Sequence, residues 1–125
     1  MTNSETMLST QSHPGDSSSQ SYTTANFKGD GYYGRADGFH TIQITLTGFL
    51  GTLQFEGTLS TEPVDTDWFT ISVTDAESNN TISSIDYASN ATNSKVYNFY
   101  GNFIWLRGVV SNWTDGTINH IKLNH

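Results

Sequence analysis

Catalysis by side chains needs a base, an acid or an activated nucleophile held by its neighbours. The sequence offers few such groups. Its four histidines are His13, His40, His120 and His125, and no H-x-H, H-E-x-x-H or G-x-S-x-G pattern places one beside a metal or an activated serine. A zinc site made of His40, His120 and His125 would need the C-terminus to fold back, so hydrogen-bonded or solvated histidines are the expectation. Glu56 falls on the outward side of an alternating segment and Glu62 in a loop, which assembles no carboxylate pair for glycoside hydrolysis. The absence of cysteine excludes thiol catalysis, thiolate metal sites and disulfides together. The expectation is a protein with no catalytic residues, no cofactor and no metal.

Binding chemistry has more to work with. "EPVDTD" (Glu62, Asp65, Asp67) and "GDGYYGRADG" (Asp30, Asp37) carry carboxylates that calcium could use. Neither follows a known calcium-loop spacing, so both read as solvated loops. A sugar site needs exposed rings beside amide or carboxylate groups. Tyr32, Tyr33 and Trp113 lie in or next to loops and are the candidate glycan contacts; the competing role for the tyrosine pair is a packing lip that closes one end of the fold. Trp113 in "SNWTDG" is surrounded by turn residues, whereas Trp68 is expected to pack at a core edge. Arg107 shares the parity of Phe103 and Trp105. An unpaired buried guanidinium is costly, so Arg107 is expected in a structural salt bridge with an acid such as Asp67 or Asp86.

Period-two patterning supplies the elements that must hold these groups. In "HTIQITLTGF", Ile42, Ile44 and Leu46 share one face and Thr41, Gln43, Thr45 and Thr47 the other. "GTLQFEGTLS" repeats this with Leu53, Phe55 and Leu59 inward, and "WFTISV" with Phe69, Ile71 and Val73 inward. Gly48-Phe49-Leu50-Gly51 between the first two reads as a hairpin link. "TDAESNN", "ASNATNSK" and "SNWTDG" read as loops or turns. In "KVYNFYGNFIWLRGVV", Tyr97, Phe99, Phe103, Trp105 and Val109 fall on one parity, with Gly101 at a bulge or bend. These seven to eight short strands without a helix predict an all-β antiparallel sandwich or jelly roll over residues 27–125. Three Trp, six Tyr and seven Phe suit the thin core between two sheets.

Residues 1–26 differ. They are dominated by Ser, Thr and Gln and cannot by themselves bury enough surface to offset their ordering entropy. They predict an extended N-terminal arm, with Met7-Leu8 as its one apolar handle for docking on a partner. The chain begins without a basic region followed by an apolar core, so no signal peptide is expected, and no apolar run approaches a membrane span. Five Lys+Arg against twelve Asp+Glu give a formal net charge of −7, and the basic residues are scattered. Nucleic acid and anionic membrane are therefore poor partners.

Taken together, "GDGYYG", "DGFHT", "FLGTLQFEGTL", "DWFTI" and "GNFIWLRGVVSNWTDGTINHIKLNH" resemble, in order and spacing, a small β-sandwich found among virion structural proteins of tailed phages, especially those of cyanobacteria and other marine hosts. The end of the chain also resembles the closing strands of discoidin-type domains, where an aromatic-x-Arg strand precedes a final apolar one. The phage resemblance implies a non-enzymatic particle component, assembled in the host cytoplasm and located in the virion. The resemblance does not distinguish head, neck and tail; the polar arm, the absence of cysteine and the Thr-rich strand faces favour a capsid-surface decoration subunit held in many copies or as a homo-oligomer, docked by its arm on the major capsid protein or on neck or tail subunits. The alternative is a carbohydrate-binding module of tail, neck or fibre that recognises a host glycan.

Overall fold

The computed structural model describes residues 4–16, 18–34 and 38–124. In chain order its strands are β1 (Ser4–Leu8), β2 (Gln11–Ser12), β3 (Gln20–Thr23), β4 (Phe27–Lys28), β5 (Phe39–Thr58), β6 (Phe69–Ile71), β7 (Val73–Asp75), β8 (Thr81–Ile82), β9 (Ile85–Tyr100) and β10 (Trp105–Asn124). They form one antiparallel sheet in the order β1-β10-β5-β9-β7-β8, with β2, β3 and β4 also paired to β10 and β6 paired to β5. A 3-10 turn, Asp65–Asp67, precedes β6.

Nineteen apolar residues from both ends of the long strands are buried in one cluster, from Met7 and Leu123 to Phe55 and Val110. No helix covers that cluster among the described residues, so the sheet must bend over and cover itself, as in a sandwich. Bulges do the bending. Along β5 the buried positions are Ile42, Ile44 and Leu46, then Phe49, Leu53 and Phe55. The change from even to odd falls at Gly48, where φ is +63° and the register with β9 shifts. In β10 the corresponding breaks lie between Ser111 and Thr117 and between Ile118 and His120. Asn112 (φ +50°) and Gly116 (φ +88°) supply the first of these. On the outward side, threonine rows link neighbouring strands: Thr41 donates to Asn98 Oδ1 at 2.9 Å and Thr47 to Asn119 Oδ1 at 2.8 Å.

Several expectations are corrected by this arrangement. Gly48–Gly51 is a bulged stretch inside one 20-residue strand, not a hairpin. "ASNATNSK" and "SNWTDG" lie within β9 and β10, because their polar residues face solvent while their backbones stay paired. The parity of the 103–109 stretch is inverted. Leu106, Gly108 and Val110 point into the core, and Trp105, Arg107 and Val109 lie half-buried on the outer side.

The N-terminal arm is corrected as well. β1, β2, β3 and β4 run antiparallel along successive portions of β10, from Ser4↔Asn124 to Lys28↔Trp105. His13 N donates to Gly116 O and Thr24 N to Gly108 O, both at 2.9 Å. The segment is one interrupted edge strand of the same sheet, so no domain boundary falls between residues 26 and 27. Met7 and Leu8 are only 5% and 4% exposed and belong to the core, where they cannot serve as a docking handle. An edge strand needs apolar residues only where it meets the core; elsewhere its paired backbone tolerates Ser, Thr and Gln.

A candidate ligand groove at one end of the sheet

Past Thr58 the chain leaves β5, and its exit is fastened by three hydrogen bonds. Ile104 N donates to Thr58 O at 2.9 Å, Ser60 N to Thr58 Oγ1 at 3.1 Å, and Trp105 Nε1 to Thr61 O at 3.0 Å. The following loop turns through the 3-10 segment. Asp67 N donates to Val64 O and Val64 N donates to Asp67 Oδ2, each at 2.9 Å. This reciprocal pair holds the turn rigid and delivers Phe69 to the start of β6. The β9–β10 connection completes the end of the sheet by laying Phe103 over Gly57, where an added Cβ would sit 2.6 Å from the Phe103 ring.

Between these three segments lies an open cavity of about 510 Å³, lined by Leu59, Phe69, Phe103, Asp67, Asn102 and neighbouring hydroxyl side chains. Phe69 and Leu59 are 69% and 71% exposed. Alternation correctly places Ile71 and Val73 in the core, but Phe69 and Leu59 lie beyond the last layer that covers it. Their expected inward orientation is therefore corrected, and alternation alone gives no sign of the groove they make. Among the described residues Asp67 is the only titratable one in the lining, and no Lys or Arg lines the cavity.

Beside the groove the outer face carries a ridge of rings. Tyr32 packs against Trp105 at 5.1 Å and Tyr33 at 5.7 Å between centroids, with Lys28 Nζ 4.6 Å from its ring. Both tyrosines are almost half exposed, so they close this end of the sheet while presenting their edges to solvent. Gly29 and Gly31 let that lip lie on the Phe103 and Asn102 carbonyls, where any Cβ would clash. Arg107 donates from Nε to Glu56 Oε1 at 2.7 Å and stacks over Trp68 at 4.2 Å. The salt-bridge partner is thus the cross-strand neighbour Glu56, rather than Asp67 or Asp86. Asp86 instead accepts from Thr52 and Ser84.

The remaining candidates are dispersed. Trp113 is 5% exposed, packs against Phe49 and His13 at 6.1 and 5.8 Å and donates from Nε1 to Asp115 O at 2.9 Å. A glycan contact by Trp113 is excluded by this burial; its turn-like neighbours form bulges that fold the ring inward. His40 is buried with Nε2 accepting from Asp30 N–H at 3.2 Å, and His120 meets Thr45 Oγ1 at 3.0 Å. No group of three or more His, Asp or Glu among the described residues is placed to hold a metal ion; Asp37 and His125 lie outside those residues. Among the described residues no helix is long and apolar enough to cross a membrane.

No protein-family model matches the chain, and no curated protein matches it. Among solved structures it is similar to the SPBc2 prophage-derived protein YomS, with TM-score 0.64 and 13% identity over 96% of this chain and 88% of that one. It is also similar to reduced XRCC1, solved bound to the DNA pol beta catalytic domain, with TM-score 0.51 and 7% identity over 90% and 78% of the two chains. A family 29 carbohydrate-binding module from Piromyces equi overlaps 98% of this chain and 90% of its own length, with TM-score 0.49 and 9% identity. At such identities the likeness is one of fold, an all-β sandwich that this chain shares with a prophage-derived protein.

Proposed function

We propose that this chain is a non-enzymatic structural protein of a phage particle, a capsid-surface decoration subunit carried in many copies. The observation that carries the reading is the overlap of its fold, over 96% of the chain, with a prophage-derived protein. Fold overlap alone does not distinguish roles, and the motif order over residues 27–125 adds independent support. The architecture suits the task. The N-terminal strands cover the long edge of β10, which removes a site of uncontrolled strand pairing between crowded copies. Asp67, the one titratable group lining the groove among the described residues, holds the Val64 amide and is poorly placed to act as a base. Contact with the shell then falls to the exposed surface of the folded domain, not to a free tail. Adding the purified protein to particles that lack it tests this reading: saturable binding at a fixed copy number supports it, and absence of binding counts against it.

A second reading, host-glycan recognition from the tail, neck or fibre, is favoured by the exposed aromatic groove around Phe69.

A further inference from the structure

We infer that the groove between Leu59, Phe69 and Asn102 binds a neutral saccharide, with Phe69 as the platform for a sugar ring; this rests on the glycan reading just given. Three observations converge on that ligand class. The cavity, about 510 Å³, falls within the range of small-ligand sites, which are mostly apolar with a few placed polar groups. Phe69 and Leu59 are the apolar surface, and they stay about seven-tenths exposed inside a concavity, where an apolar face can remove them from water. The polar groups are an acceptor and an amide: the Asp67 carboxylate, fixed by the Val64 amide at 2.9 Å, and the exposed side chain of Asn102. A ligand that matches both features needs an apolar C–H face and hydroxyl donors at its edges, which is the chemistry of a pyranose.

Charge decides among sugars. Among the described residues no Lys or Arg lines the groove, Glu62 and Asp65 are exposed in the loop that forms its wall, and the chain has a formal net charge of −7. Sialylated, sulfated and phosphorylated glycans are disfavoured on that ground. An apolar peptide would cover Phe69 and Leu59 but would leave the Asp67 carboxylate facing an apolar partner, which is costly.

The test is titration of the full chain with cellotriose, maltotriose, mannotriose and lactose, and with sialyllactose as the anionic comparison. Saturation-transfer NMR and calorimetry up to about 10 mM reach the weak affinities expected of a single sugar site. The wild type is expected to bind at least one neutral probe and not sialyllactose. Phe69→Ala should weaken binding about tenfold or more, Asn102→Ala should weaken it several-fold, and Tyr32→Ala should leave it unchanged. Phe69 and Asn102 are exposed, so unchanged melting temperatures would show that both variants are folded. Failure of every neutral probe, preference for sialyllactose, or a loss confined to Tyr32→Ala would overturn the inference. A chain present in particles that binds no saccharide would overturn this site while leaving the structural role intact; a chain that binds sugar but is absent from particles would do the reverse.

Discussion

Gly116 of β10 lies so close to Gly48 of β5 that no side-chain carbon fits between the two strands: a Cβ on Gly116 would collide with the Gly48 carbonyl and come within 2.5 Å of Phe49 N. Asn90 of β9 fastens the same point, donating from Nδ2 to Gly48 O at 2.8 Å and to Asp115 Oδ2 at 3.1 Å. Three strands are therefore locked together where the sheet bends. Gly116→Ala must strain a φ of +88° and also push two backbones apart, and should cost about 3 kcal/mol or more. Gly15→Ala is the control. Its φ of +76° carries the same conformational penalty, but nothing lies within 4 Å of the added carbon, so about 1 kcal/mol is expected. Urea unfolding of the two variants measures the difference.

Leu8 tests the role of the N-terminal strand. It is 4% exposed in the common core, so Leu8→Ala should destabilise the protein by about 3 kcal/mol. Deleting residues 1–9 should lower the melting temperature further and uncover part of the β10 edge, which favours self-association. Calorimetry and light scattering read both effects. Unchanged stability on deletion would mean that the segment is the separate arm its composition suggests.

The sequence shows most of the pattern and little of the connectivity. Ile42, Ile44, Leu46, Leu53 and Phe55 declare themselves by alternation because each must face the core. The bulges are harder to read, since a glycine at a parity change serves a hairpin equally well; only the pairing of Asp115 with Leu50 and of Ala91 with Phe49 shows that β5 continues. Residues 20–23 carry almost no apolar signal because an edge strand can be held by backbone bonds alone. The groove was hidden for a related reason. Alternation cannot tell where the covering layer ends, and Phe69 lies one residue pair beyond that limit. Arg107 was legible as a residue needing an acid, while its choice of Glu56 follows from a β5–β10 register that composition does not encode.

The Arg107–Glu56 pair should be modest in energy. Its side chains are 19% and 22% exposed, so solvent screens part of the attraction. A double-mutant cycle with Arg107→Ala and Glu56→Ala is expected to give about 1 kcal/mol of coupling. Arg107→Lys should recover only part of the stability, because an ammonium does not reproduce the planar stacking on Trp68.

Stability should also depend on pH through β7 and β9. Asp75 Oδ1 accepts from Glu77 N at 2.8 Å and Oδ2 from Lys95 Nζ at 3.0 Å. These bonds, the Glu77 amide first, hold the carboxyl below its ordinary 3.8. A lowered carboxylate contributes stability that is present above the unfolded value and lost as pH falls through the folded one. Lys95 is raised above 10.5 by the same bond, so its contribution is complete below that value and lost as pH rises through the folded one. Burial, and then Tyr87, push the Tyr97 hydroxyl up from 10.0; ionisation of the unfolded chain above that pH adds to the alkaline loss. Melting temperature should be flat near neutrality and fall on both sides. Asp75→Asn should reduce both slopes, and Tyr97→Phe only the alkaline one.

The structural role is tested most directly by searching for this chain in purified particles of any phage whose genome proves to encode it, using quantitative mass spectrometry against the major capsid protein. A fixed ratio is expected, many copies per particle and unchanged from one preparation to the next. A chain that is abundant in the infected lysate yet missing from the particles would contradict it.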